Sequence, residues 1–110
     1  MALDAGMLAD QMLGAALPIL KKHAQDAESF AKAEFTKIAQ TIVSIGEQVA
    51  GGQINQQQAV LLLNMQTTAS RNVLLCLKGL ALLAAEEAIN AALGVVKTAV
   101  NAALKFPLIA

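Results

Sequence analysis

The chain has 110 residues, 56% of them hydrophobic, 15% charged and 3% aromatic, with eight basic residues against eight acidic ones. Such apolar content excludes a disordered chain, and zero net charge excludes the basic footprint of a nucleic-acid binder. The length suits a single helical domain over 1–110, and the charged share lies below the usual quarter, so part of the surface is expected to meet copies of the chain or lipid rather than water.

From Leu3 the residues Met7, Leu8, Met12, Ala15, Ala16 and Ile19 line one broad apolar side, which predicts a helix over about 3–22. Pro18 removes a backbone donor, so it either kinks this helix or starts the next one. The polar segment KKHAQDAES follows, with Asp26 as a candidate cap. A joint and a continuous kinked helix are both compatible with it.

Ala31, Phe35, Ile38, Ile42, Ile45 and Val49 recur at spacings of four and three, leaving Lys32, Glu34, Lys37, Gln40 and Glu47 off the seam. That pattern predicts a helix over 27–50. Gly51 or Gly52 supplies the left-handed residue that ends it. Asn55 and Gln58 then form a capping box for the next helix. The fold class is therefore all-α: an antiparallel helical hairpin or bundle of three to four helices, with its turn at Gly51–Gly52 and a long C-terminal helix. The turn, AGGQIN, has no tryptophan and so departs from the Trp-x-Gly turn of WXG-type secreted hairpins.

No proline interrupts residues 56–105, so this span reads as helix. Unbroken, fifty residues would reach roughly 75 Å, while a compact chain of this size has a radius of gyration of about 13 Å. Either the helix breaks within 67–79, around Thr67–Ser70 or at Gly79, or it reaches out to other subunits. Between Glu47 and Arg71 no residue is charged, and the polar ones are amides and hydroxyls such as Gln57, Asn64, Gln66, Thr68 and Ser70. These tolerate desolvation when they find hydrogen-bond partners, which points to contact with other subunits or a partner; a solvated amide face is the alternative. Arg71 and Lys78, nearest the most apolar helix, are expected to pair with an acid in the bundle, or Lys78 to lay its stem over leucines.

The hexapeptides AINAAL (88–93) and AVNAAL (99–104) repeat at a spacing of eleven. Eleven residues make three turns at about 3.67 per turn, so the stripe stays nearly straight along a helix. Glu86, Glu87, Asn90, Lys97, Thr98, Asn101 and Lys105 form its polar arc, and Ala88, Ala91, Ala92, Ala99, Ala102 and Ala103 a flank small enough for close helix approach. Eleven-residue repeats also lie flat on lipid, but that reading wants large apolar anchors and a lysine-rich face.

Candidate chemistry is sparse. His23 stands alone among charges, with no second histidine to share a metal. Cys76, in VLLCL, reads as a small buried hydrophobe. Adjacent Glu86 and Glu87 sit about 100° apart on a helix, and Glu86 is expected to meet Asn90 or another subunit's Lys97. Ser29, Ser44 and Ser70 lack a G-x-S-x-G setting. No catalytic, metal or cofactor site is expected, and the chain reads as a non-enzyme.

The start MALDAG has no signal-peptide character. The apolar run from Val73 is interrupted by Lys78, Glu86 and Glu87 before about 18 clean residues accumulate. The expected location is cytoplasmic, or exported without a cleavable signal, and not transmembrane. The expected function is structural: self-association through an Ala/Leu-rich face, with Leu74, Leu77, Leu80, Leu83, Ile89, Ala92 and Ala103 as the homo-oligomer interface. A membrane-active hairpin and a small adaptor for a protein partner are the alternatives.

Overall fold

The computed structural model describes residues 3–24 and 26–110, as four helices: α1 (Ala5–Lys21), α2 (Ala27–Ala50), α3 (Gln56–Leu74) and α4 (Leu82–Leu104). They pack into a helical bundle 42 Å long and about half as wide, 21 × 19 Å. α1 lies between α2 and α4, α2 also holds α3, and α3 meets α4 only sparsely. The bundle therefore has one loosely closed seam.

Local chemistry accounts for most helix ends. Asp4 accepts a hydrogen bond from the Met7 amide at 3.2 Å and caps α1. α1 runs through Pro18 to Lys21, and the chain then turns at a joint before α2; Gln25, within the predicted joint, lies outside the described residues. Asp26 stands at the N-cap of α2 without a side-chain capping bond. The α2–α3 turn uses Gly52, at φ +73°, as its left-handed residue, and Asn55 and Gln58 exchange both bonds of the capping box, at 2.8 and 2.9 Å.

Ala31, Phe35, Ile38, Ile42 and Ile45 of the α2 seam are buried, while Val49 is half-buried. Glu34, placed off the seam by the heptad spacing, is only 3% exposed. α2 is covered by both α1 and α3, so its buried arc is wider than a two-position seam. The Glu34 carboxylate is held by Lys37 Nζ at 3.0 Å.

The span 56–105 is broken between α3 and α4, at Leu75–Ala81 rather than at Thr67–Ser70. Gly79 adopts φ +90°, and a Cβ there would stand 2.8 Å from the His23 carbonyl oxygen. This close approach seats the α3–α4 loop on the α1–α2 joint. Leu74, Leu77 and Leu80 all turn inward around it.

The two halves of the eleven-residue repeat have different environments. Ala88, Ile89 and Ala92 of the first are buried, whereas Ala99 and Ala102 of the second are exposed and Val100 alone is fully covered. Asn90 is exposed, but Asn101 grips the C-terminal tail: its Nδ2 donates to the Ile109 carbonyl at 2.9 Å and its Oδ1 accepts from the Ile109 amide at 3.0 Å. Lys105, at φ +63°, ends α4 and turns the chain back, burying Phe106, Leu108 and Ile109.

Two pairs of substitutions test this packing. Gly79→Ala should destabilise the bundle by roughly 2 kcal/mol through its left-handed backbone and the clash with His23, lowering Tm by about 10 °C in helical circular dichroism. Gly94→Ala, where an added Cβ meets nothing within 4 Å, should stabilise by about 0.5–1 kcal/mol. Asn101→Ala should cost about 1–3 kcal/mol and deprotect the Ile109 amide in hydrogen exchange, while Asn90→Ala, at the matching place in the repeat, should leave both unchanged.

Candidate interaction surfaces

Helix α3 is two-faced. Its inner pole carries Ala59, Leu63, Ser70 and Leu74. Part of the charge-free stretch is used there: Thr41 Oγ1 donates to Gln66 Oε1 at 3.3 Å, and Gln66 Nε2 donates to Ser70 Oγ at 3.1 Å. This chain of neutral groups crosses from α2 to α3 and satisfies a fully buried hydroxyl. The outer pole carries Gln57, Leu61, Asn64, Met65, Thr68 and Asn72, all exposed. Leu61 is 59% and Met65 60% exposed, two large apolar side chains one helical turn apart on the same side.

Charge separates this face from the others. α1 exposes Asp10 and Lys21, α2 exposes Glu28, Lys32, Lys37 and Glu47, and α4 exposes Glu87 and Lys97. α3 contains a single charged residue, Arg71, and it is half-buried toward α4. Beside the outer pole, a groove of about 630 Å³ runs between α2 and α3, bordered by Gln40, Ser44, Gln48, Leu62, Met65 and Ala69. Lys37, paired with Glu34, is the one charged side chain lining it.

The sparse α3–α4 seam holds two smaller cavities. One of about 230 Å³ lies among Thr67, Thr68, Arg71, Glu86, Ile89 and Asn90. Arg71 Nη1 stands 3.5 Å from Glu86 Oε1, so within the chain Glu86 meets Arg71; the Arg71 Nε is enclosed without a hydrogen-bond partner. The other, of about 350 Å³, is bounded by Val60, Leu63 and Leu93 and by Leu108–Ala110 of the folded-back tail.

The seven residues expected to form an oligomer interface fall in different places. Leu74, Leu77, Leu80, Ile89 and Ala92 are buried within the single chain. Their apolar spacing marked burial, and all five belong to the chain's own core cluster. Ala103 is half-buried, and Leu83 is 75% exposed. With Leu82, 50% exposed, Leu83 forms an apolar ledge at the start of α4, at the end of the bundle that also exposes Lys22, His23 and Lys78. Cys76, expected inside, is exposed, its Sγ 3.7 Å from the Asn72 carbonyl. The loop turns its neighbours Leu74 and Leu77 inward, which leaves position 76 facing out.

Among the described residues, no group of three or more His, Cys, Asp or Glu side chains is placed to hold a metal ion. No described helix is long and apolar enough to cross a membrane. No protein-family model matches the chain, nor does any curated protein or solved structure.

Proposed function

We propose that this chain is a non-enzymatic structural protein that associates with copies of itself. The observation that carries this reading is the outer face of α3, which keeps Leu61 and Met65 largely exposed in a helix with no exposed charge. Isolated exposed leucines need no explanation, but an apolar pair flanked only by amides and a hydroxyl is poorly suited to permanent solvation. Light scattering behind a sizing column tests it, with refractive index reporting concentration because the chain has no Trp or Tyr. The expected result is a mass rising with loading concentration toward a multiple of 11.4 kDa; a constant monomer mass at every loading would sink the reading.

A second reading rests on the Leu82–Leu83 ledge beside Lys22 and Lys78, which suits the surface of an anionic bilayer. On that reading the chain floats with anionic vesicles but not with neutral ones, and Leu83→Glu abolishes flotation. Absence of the wild-type chain from the vesicle fraction would exclude it.

A further inference from the structure

Resting on the self-association reading, we infer that two copies pair through α3 in an antiparallel, two-fold arrangement centred on Met65. Three features of the surface carry this.

The first is charge. At a two-fold axis the residue on the axis faces its own copy, so an ion there meets a like charge, and an off-axis ion needs an opposite charge at the position it faces. The exposed faces of α1, α2 and α4 all carry ions, and that of α3 carries none. The exposed face of α3 can therefore meet its own copy with no ion at the axis and no charge that needs a partner.

The second is shape. Gln58, Leu61, Met65, Ala69 and Asn72 form a stripe on the exposed side of α3, inclined toward the groove shared with α2. With Met65 on the axis of an antiparallel pair, Met65 meets Met65, Leu61 meets Ala69, and Asn72 meets Gln58 of the other copy. Each large side chain is opposed by a small or flexible one, and the terminal amides of Asn72 and Gln58 can bond across the ends. The Gln58 Nε2 is available for this, since the capping box uses its Oε1. Antiparallel alignment also sets opposite helix dipoles side by side.

The third is area. A helix of 19 residues presents a strip about 28 Å long and about 10 Å wide, roughly 280 Å². The adjoining α2–α3 groove widens the strip toward Gln40, Ser44 and Gln48. Even doubled, the footprint stays below the roughly 800 Å² per partner of a standard interface. The dimer is therefore weak and reversible, dissociating on dilution.

Sedimentation equilibrium with interference optics, together with disulfide trapping in a Cys76→Ser background, tests the pairing. Met65→Glu, at an exposed position, should leave helical circular dichroism unchanged and raise the dimer Kd at least tenfold. Met65→Cys should trap a covalent dimer on oxidation. Leu61→Cys alone should not, but Leu61→Cys combined with Ala69→Cys should. Those two cysteines stand about 12 Å apart along one helix, too far for a bond within a chain, so the double variant reports pairing between chains. Trapping of Leu61→Cys alone would mean a parallel pair and overturn the arrangement. A wild type that associates while Met65→Glu associates equally well, and Met65→Cys fails to trap, would overturn the α3 interface and leave self-association standing. A wild type that stays monomeric at all concentrations would remove self-association and the α3 pairing with it.

Discussion

The approach of Gly79 to the His23 carbonyl controls where the second half of the chain goes. The gap admits no side chain, since a Cβ would lie 2.8 Å from that oxygen. With the α3–α4 loop seated on the α1–α2 joint, α4 starts beside α1 and runs back along it. Leu74, Leu77 and Leu80 then point into the core from three consecutive bends of chain. A straight continuation of α3 would have carried Ala85, Ala88 and Ala92 into solvent and uncovered α1. Burial of those small residues against α1 rewards the break, because close backbone approach gains dispersion contacts that water would not supply.

The same placement leaves α3 lightly attached. It packs on α2 and only sparsely meets α4, and the seam between them is closed by a half-buried Arg71–Glu86 pair and by the folded-back tail. A partly exposed ion pair of this kind contributes little. Much of the hold on α3 comes from its apolar inner face and from the Thr41–Gln66–Ser70 chain of neutral groups. The absence of charge between Glu47 and Arg71 thus has two physical settings. On the inner pole it lets polar groups be buried without desolvating an ion; on the outer pole it leaves a face compatible with its own copy.

The repeat shows how little a sequence echo says about environment. AINAAL and AVNAAL present the same residue types on the same helix, three turns apart. One sits at mid-bundle against α1 and is largely covered. The other lies near the end of α4, where two of its alanines face outward and its asparagine is taken up by the tail. The periodicity is a property of the helix, and burial is a property of what lies opposite.

The sequence by itself determined what depends on a few neighbouring residues. The spacing of Ala31 to Ile45, the glycine turn and the Asn55–Gln58 box specify α2, its end and the start of α3, because side-chain periodicity and backbone capping act within about one or two turns. It also made the bundle all-helical and marked Leu74, Leu77, Leu80, Ile89 and Ala92 as buried. Only the tertiary structure decided what buries them, where the long helix breaks, that Glu34 goes inside and Cys76 outside, and that the bundle leaves Leu61 and Met65 uncovered. Each of these turns on which surface lies across from the residue, a relation between segments distant in sequence that no local pattern encodes.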